Sequence, residues 1–284
     1  AMVLVIIPKS FASLRRIEEI LQAEIEIEEE TIKTVAEPTF DQTNAAAFEH
    51  VTFKYTEISD PVLEDIDFTI PKGKTTAIVG GTGSGKSSLA KLLLRLSDPT
   101  IGKVTLGGIP LTQMTQEQIR SHISYVPQKA FLFSGTILSN LQMGNEYAST
   151  EELSKAIKIA QLEELVDTLP DGLDSFVAQG GSNYSGGQKQ RICIARALIK
   201  PAEIYVFDDS FSALDYKTDA ALRAALHKHM SEKTLVIVAQ RLSTIQQADN
   251  IIVLDEGKIV GQGTHEELLS NCQTYQEFAK SQGI

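Results

Sequence analysis

The sequence has 284 residues, of which 42% are apolar and 22% charged, enough to bury the core of one large domain or two closely packed lobes. Its formal net charge of -11 excludes binding to nucleic acid through a broad basic surface, so we expect no nucleic-acid partner. Cys193 and Cys272 have no CxxC pattern and no histidine cluster beside them, which excludes a disulfide framework and a zinc site.

The first predicted element is an amphipathic helix that begins at Pro8. The apolar run before it, residues 2–7, is far shorter than the roughly 20 residues that cross a bilayer, and it lacks the basic start of a signal peptide. The acidic run 24–30 and the polar stretch 38–44 have the composition of a linker, and we interpret the acidic run as a solvated face rather than a metal site. The apolar residues at helical spacing are Phe11, Leu14, Ile17, Ile20 and Leu21.

Strand patterns begin near residue 45. Residues 48–55 and 62–70 predict a pair of strands, and residues 75–80 predict a short strand that is buried on both faces. Two further apolar, β-branched segments, 204–208 and 234–239, each follow a helical pattern. Buried runs of this kind are typical of parallel strands, so we expect a parallel sheet covered by helices.

A helical lobe is predicted between these strands, over roughly residues 131–200. Its clearest helical patterns are at 151–165 and 188–199, which makes the lobe an insertion into the sheet domain. Near the end of the chain, residues 250–254 and 258–260 predict a hairpin. Two short helices are predicted to follow the hairpin, at 266–269 and 275–279.

A glycine-rich loop follows the strand at 75–80 directly and fits the pattern G-x-x-x-x-G-K-[ST]. Glycines let several backbone N–H groups point into one concavity, and the helix that starts at Ser88 adds positive potential, so the loop predicts a cup that fits a triphosphate. Lys86 is expected to reach the β- and γ-phosphates, and the Ser87 hydroxyl is expected to bind Mg²⁺. The residues of the loop are Gly80, Gly81, Thr82, Gly83, Ser84, Gly85, Lys86 and Ser87.

Asp208 ends the apolar strand 204–208, at the carboxyl edge where open α/β sheets bind ligands. We expect its carboxylate to help hold the metal beside the phosphate loop. An aspartate that merely caps the strand would be a reasonable alternative in the absence of such a loop.

A second glycine motif, Ser185-Gly186-Gly187-Gln188, starts the helical pattern at 188–199. Ser185 can cap that helix while the two glycines leave backbone N–H groups open, which makes a second anion cup without a lysine. The four residues alone would also suit an ordinary helix start. Together with the phosphate loop, however, the motif resembles the signature of ABC-type ATPases, in which ATP lies between the phosphate loop of one subunit and the signature of another.

Further elements of the ABC family occur in the right order over residues 45–284. Tyr55 resembles the aromatic residue that stacks on adenine, and Gln128 resembles the glutamine that contacts the metal and the attacking water. Asp215, in Ser212-Ala-Leu-Asp215, resembles the loop that crosses the dimer interface. The resemblance implies an α/β fold of the P-loop NTPase type: a core with a mixed or parallel sheet, an N-terminal antiparallel β subdomain and an inserted α-helical subdomain. Ser87, Gln128 and Asp208 would then bind the metal.

Residues 129–137 and the N-terminal helix resemble ABC exporters whose half-subunits join a six-helix membrane domain to this ATPase. The resemblance implies that residues 1–44 extend the last membrane helix, and that residues 45–284 form the ATP-binding domain at the cytoplasmic face of the membrane. The core would comprise residues 45–130 and 200–284, and the helical subdomain residues 131–199. The membrane domain itself would lie outside the sequence.

Two positions depart from the family pattern. Asp209 stands where an active ABC site usually has the glutamate that acts as base or positions water, and it is one methylene shorter. Gln240 stands where the family has a histidine, and glutamine cannot carry positive charge to the γ-phosphate. The pattern resembles the degenerate half of a heterodimeric exporter. In such a half the nucleotide site of the chain itself hydrolyses ATP weakly, and a different ABC subunit is its partner.

Three other hypotheses remain open at this stage. The chain could belong to a homodimeric exporter in which Asp209 is an adequate base, or it could itself be a soluble ABC switch ATPase. It could also be a regulatory nucleotide-binding subunit without turnover. The acidic net charge and the N-terminal helix argue against the soluble switch protein.

Overall fold

A computed structural model describes residues 2–22, 27, 37–40 and 43–284, with side chains from Lys9 onward. The predicted acidic linker, 24–30, therefore lies outside the described residues apart from Ile27. The helices are, in chain order, α1 (Met2–Leu21), α2 (Lys86–Leu93), α3 (Gln116–His122), α4 (Ile137–Gln142), α5 (Thr150–Ile159), α6 (Glu163–Thr168), α7 (Gly186–Ile199), α8 (Tyr216–His229), α9 (His265–Asn271) and α10 (Gln273–Ser281).

Within the described residues the strands form three sheets. They are, in chain order, β1 (Asn44–Phe53), β2 (Leu63–Pro71), β3 (Thr75–Gly80), β4 (Ile101–Leu106), β5 (Ile109–Pro110), β6 (Ile123–Val126), β7 (Gly135–Thr136), β8 (Phe176–Val177), β9 (Ile204–Asp208), β10 (Thr234–Ala239), β11 (Asn250–Asp255) and β12 (Lys258–Gly263).

The central sheet has six strands in the order β12-β11-β3-β10-β9-β6, and every neighbouring pair is parallel except β11 and β12. All residues of β9 and β10 are buried, as continuous apolar runs predict for strands covered on both faces. Because β3, β10 and β9 are adjacent and parallel, their carboxyl ends meet at one edge of the sheet. The phosphate loop and Asp208 follow β3 and β9 at that edge.

A second, antiparallel sheet has the strand order β2-β1-β4-β5 and contains the predicted strand pair. Its inner face packs on α2 and on one face of the central sheet, in a core that includes Phe48, Ile66, Leu89 and Val236. A second core, between the opposite face of the central sheet and the helices, includes Phe207 and Ile192. The α/β fold with a mixed sheet, an antiparallel β layer and an inserted helical lobe is therefore confirmed.

One predicted helix of the helical lobe differs from the structure. The segment 151–165, predicted as one helix, is broken into α5 and α6 at Gln161, whose backbone is left-handed with φ 57°. The backbone N–H groups of Gln161 and Leu162 bond back to Lys158 and Ile157, which ends α5. Leu162 remains buried beyond the break, so the apolar periodicity continues although the helix does not.

α1 also differs from the prediction, because it begins at Met2 and continues through Pro8. A proline in this position costs one backbone hydrogen bond, and the run of methionine, valine, leucine and isoleucine before it still forms helix. Within residues 2–22, 27, 37–40 and 43–284, none of the helices combines the length and the apolar character that crossing a bilayer requires.

Candidate functional site

A cavity of about 360 Å³ opens where β3, β9 and β10 end. It brings together side chains from the phosphate loop, from the end of β9, from the end of β10 and from the segment after β6. Among the residues that the structure describes, Lys86 is the one basic residue in its lining. The lining residues are Tyr55, Val62, Thr82, Gly83, Gly85, Lys86, Ser87, Ser88, Gln128, Asp208, Asp209, Val238 and Gln240.

The phosphate loop requires glycine at two closely packed positions. Gly80, at the end of β3, lies against the neighbouring strand β11, so a Cβ atom there would come 2.3 Å from the carbonyl oxygen of Leu254. Gly85 has φ +100°, and a Cβ atom on it would come 2.5 Å from the Leu63 side chain. Gly85 is the N-cap of α2, so the loop passes directly into the helix N-terminus, whose dipole favours an anion.

Lys86 is buried beneath the loop, where its Nζ donates hydrogen bonds to the backbone oxygens of Gly80 at 2.9 Å and Gly81 at 2.6 Å. Desolvation lowers the pKa of Lys86, while the nearby carboxylates of Asp209 and Asp208 act in the opposite direction. The carbonyl oxygens thus hold the ammonium group at the base of the cup. A buried cation in this position fits an anion bound in the cup.

Asp208 is 4% exposed and accepts two hydrogen bonds. The Ser87 hydroxyl donates to Oδ1 at 3.2 Å, and the Tyr125 hydroxyl donates to Oδ2 at 3.1 Å. Burial raises the pKa of Asp208. The two hydrogen bonds offset part of this rise, because they stabilise the ionised form. The carboxylate of Asp208, the hydroxyl of Ser87 and the amide oxygen of Gln128 are hard oxygen donors in one cavity, a donor set that fits Mg²⁺.

Tyr125 is a site residue that was assigned no role from the sequence. It lies on β6, which pairs with β9 so that Tyr125 is opposite Val206, and its phenol reaches the end of β9. Burial, together with Asp208, raises the pKa of Tyr125, so the hydroxyl stays protonated and acts as a donor. The signal available in the sequence was a tyrosine at the end of an apolar segment shortly before Gln128.

We expect Tyr125→Phe to lower the free energy of unfolding at pH 7 by about 1.5–3 kcal/mol, because it removes a hydrogen bond to a buried carboxylate. Urea denaturation of nucleotide-free protein measures the loss. In the background of Asp208→Asn the same substitution is expected to cost much less, since the charged acceptor is gone. Equal losses in the two backgrounds would show that the hydroxyl stabilises the protein through another contact.

Asp209, Gln128 and Gln240 meet in the same cavity. Gln128 Nε2 donates to Asp209 Oδ2 at 3.1 Å, and Asp209 has a left-handed backbone with φ 46°. Gln240 directly follows β10, the strand beside β9, and its side chain lines the cavity. The carboxylate expected to position water is thus already bonded to a neighbouring amide.

Tyr55 lies at the mouth of the cavity and is 52% exposed. Its hydroxyl is 2.9 Å from Ser88 Oγ, and its ring meets Phe53 edge-on with 4.9 Å between centroids. Lys91 Nζ is 5.5 Å from the ring centroid. These contacts hold an exposed aromatic ring beside the phosphate cup, where a flat base can stack on it.

The signature residues and Asp215 do not line this cavity. Ser185 is exposed and is the N-cap of α7, where its hydroxyl accepts the Gln188 N–H and its own N–H donates to Gln188 Oε1 at 2.8 Å. Gly186 is exposed, with open space where a Cβ atom would be. Asp215 caps α8 by accepting the Thr218 N–H at 2.9 Å. Gly80, Gly81 and Ser84 also lie outside the lining, in the loop around Lys86.

Comparison with known proteins gives one consistent result. The family model described as "ABC transporter" matches residues 63–212. An uncharacterized ABC transporter ATP-binding protein of Mycobacterium tuberculosis is 44% identical over 100% of this chain and 48% of its own length. An ATP-dependent lipid A-core flippase of Chromobacterium violaceum is 38% identical over 93% of this chain and 47% of its own.

A solved structure of a bacterial Atm1-family ABC exporter with ATP bound matches with a TM-score of 0.87 and 33% identity. The match covers 100% of this chain and 49% of the exporter chain. The chain therefore spans about half the length of the relatives that it matches.

Proposed function

Because the chain belongs to the ABC transporter family, as an ATP-binding domain, we propose that it serves an exporter in which its own nucleotide site hydrolyses ATP weakly. ATP would bind with its phosphates at the loop around Lys86 and its base on Tyr55. Closure onto a second subunit would then drive the membrane domains towards the outward-facing state. Hydrolysis would occur chiefly in the opposite site.

The observation that carries this proposal is the meeting of Asp209 and Gln240 in the ATP cavity. Asp209 has a shorter side chain than glutamate, and its carboxylate is bonded to Gln128. An error of about 1 Å in positioning a reacting group can cost roughly a hundredfold in rate. Gln240 is able to donate a hydrogen bond to the γ-phosphate, but it brings no positive charge. Both departures weaken turnover without removing the means of binding.

We propose that Ser87, Asp208 and Gln128 hold Mg²⁺ beside the phosphates. When bound, Mg²⁺ would neutralise charge on the β- and γ-phosphates. The protein's own part is then to orient the nucleotide. Lys86 is fixed by two loop carbonyls, and Asp208 is fixed by the hydroxyls of Tyr125 and Ser87.

Two separate surfaces of the chain support the proposal of a partner subunit. Lys86 lies in the cavity, whereas Ser185 and Gly186 are exposed at the N-terminus of α7. The helix start offers open backbone N–H groups to an anion. We propose that Ser185, Gly186, Gly187 and Gln188 complete the ATP site of a different ABC subunit, with Asp215 at the interface. That subunit would carry glutamate and histidine where this chain has Asp209 and Gln240.

The membrane part of the proposal rests on α1 and on the relatives. Phe11, Leu14 and Leu21 on α1 are each more than half exposed. We propose that residues 1–44 connect the ATP-binding domain, residues 45–284, to a membrane domain, which places it at the cytoplasmic face. Within that domain, 131–199 would be the helical subdomain. The flippase among the relatives suggests a lipid-like cargo, and the resemblance to exporters leaves a multidrug cargo as the alternative.

The composition of the native complex tests the heterodimer. Affinity purification of the full-length, tagged protein from its own membrane, followed by mass spectrometry, is expected to recover this chain and a second ABC subunit in equal amounts. Recovery of two identical copies would favour the homodimeric exporter. Recovery without any membrane-spanning subunit or segment would favour a soluble ABC ATPase and overturn the proposal.

A further inference from the structure

The end of α10 contacts the loop that carries Gln240. The side-chain amide of Gln282 makes two hydrogen bonds to that loop: Oε1 accepts the backbone N–H of Leu242 at 2.8 Å, and Nε2 donates to the backbone oxygen of Gln240 at 2.9 Å. One side-chain amide therefore pairs with a backbone carbonyl oxygen and a backbone N–H of the loop, as the backbone of a neighbouring strand would. The contact joins residues 40 and 42 positions apart in the sequence.

Gln282 extends from the end of a helix that is anchored in the core. On α10, Tyr275 is 0% and Ala279 is 2% exposed, so the helix is anchored in the core. After Gln282 the chain turns through Gly283, with φ 73°, and the N–H of Ile284 bonds back to the carbonyl oxygen of Ala279 at 3.0 Å. This arrangement is a common way to end a helix, and it fixes the backbone from which the Gln282 side chain extends.

The far side of the loop has a separate anchor. Arg223, on α8, donates to the backbone oxygen of Ser243 at 2.7 Å and also pairs with buried Asp219. Leu242 is 0% exposed. At the start of the loop the Gln282 amide binds the backbone of exposed Gln240 and of Leu242, and Arg241 between them donates to the backbone oxygen of Ser212 at 3.3 Å. Gln282 therefore restrains the part of the loop from which Gln240 faces the ATP cavity.

We propose that Gln282 is a positioning residue that fixes Gln240 for contact with the γ-phosphate, and thereby sets the preference of the site for ATP over ADP. The inference rests on the proposed binding of ATP. Without the amide, the loop samples several backbone conformations, and binding must then order it again. ADP lacks the γ-phosphate and gains nothing from an ordered Gln240.

The test compares Gln282→Ala with Gln276→Ala. Gln276 lies on the same helix, and its side-chain amide donates a hydrogen bond to the backbone oxygen of Leu269 at 2.8 Å, away from the loop. Calorimetry of the whole chain with Mg²⁺ is expected to show about a tenfold loss of ATP affinity in Gln282→Ala, with ADP affinity unchanged. Gln276→Ala is expected to leave both affinities at their wild-type values.

Hydrogen exchange of the nucleotide-free protein tests the contact independently of ATP. The Leu242 amide is expected to exchange faster in Gln282→Ala than in wild type or Gln276→Ala. Gln282→Glu keeps the acceptor for that amide and loses the donor to Gln240, so it is expected to keep Leu242 protected while still lowering ATP affinity. If Gln282→Ala does not fold, Gln282→Glu carries the comparison.

The outcomes separate the two proposals. A wild-type chain that takes up no ATP overturns the proposed function, whatever Leu242 does. A wild-type chain that binds ATP, together with a Gln282→Ala variant whose ratio of ATP to ADP affinity is unchanged, overturns the role of Gln282 and leaves ATP binding standing. Unchanged exchange at Leu242 in Gln282→Ala would show that the contact does not restrain the loop.

Discussion

Lys86→Ala is expected to reduce the affinity for ATP by about a hundredfold or more. Within the described part of the chain, the residue is the one cation in the lining of the cavity. It is buried, and two backbone oxygens hold its ammonium group at the base of the phosphate loop. Removing one partner from a buried, hydrogen-bonded charge pair costs about 2–5 kcal/mol, and each 1.4 kcal/mol is tenfold in affinity. Calorimetric titration with ATP and Mg²⁺ measures the change.

Lys91→Ala is the matched control, because Lys91 is on the same helix and lies outside the cavity lining. Its ammonium group is 5.5 Å from the centroid of the Tyr55 ring, a contact worth about 0.5–1 kcal/mol at an exposed site. We expect a loss of a few-fold. Similar losses for Lys86→Ala and Lys91→Ala, with both variants folded by circular dichroism, would contradict the assignment of Lys86 to the phosphates.

Asp209→Glu combined with Gln240→His is expected to raise ATP turnover by roughly a hundredfold. The longer carboxylate would reach the attacking water from a position that Asp209 does not, and correcting an error of about 1 Å is worth that factor. Histidine adds a group that is able to carry positive charge near neutral pH. Steady-state phosphate release at saturating ATP measures the effect, and the affinity for ATP is expected to change little.

Asp255→Glu controls for the added methylene, because Asp255 is an exposed residue at the hairpin between β11 and β12. It is expected to leave turnover unchanged. Rapid ATP hydrolysis by the wild-type chain, with no gain in the double variant, would contradict the proposal of a weakened site. In that case Asp209 would be an adequate base.

The phosphate loop and Asp208 could be predicted from the sequence because their signals are local. The glycines, lysine and serine of the loop are contiguous, and Asp208 directly follows four apolar residues of its own strand. The antiparallel strand pair at β1 and β2 and the parallel strands β3, β9 and β10 were predictable for the same reason. Continuous apolar runs mark strands that are covered on both faces.

The contacts of Tyr125 and Gln128 could not be predicted, because they depend on the order of strands in the sheet. Tyr125 reaches Asp208 only because β6 pairs with β9, and the two residues are 83 positions apart. The bond from Gln128 to Asp209 spans 81 positions. No periodicity in either segment reports which strand becomes its neighbour.

Helix ends were the other source of error. The break at Gln161 leaves the apolar spacing of Leu162 intact, so the pattern alone continues where the backbone turns. The strands β4 and β6 and the helices α3 and α4 were not assigned from the sequence, and the helical pattern recognised before β10 gave no bounds for α8. In α8 the hydrophobic periodicity is weak, since only Leu222 and Leu226 among its apolar residues are buried.

Titration of the folded, wild-type chain with ATP in the presence of Mg²⁺ tests the account most directly. Saturable uptake near one nucleotide per chain, lost in Lys86→Ala and kept in Lys91→Ala, is the predicted result. Well-folded protein that releases no heat with ATP, or that binds it equally with Lys86 removed, would contradict the assignment of this cavity to a nucleotide.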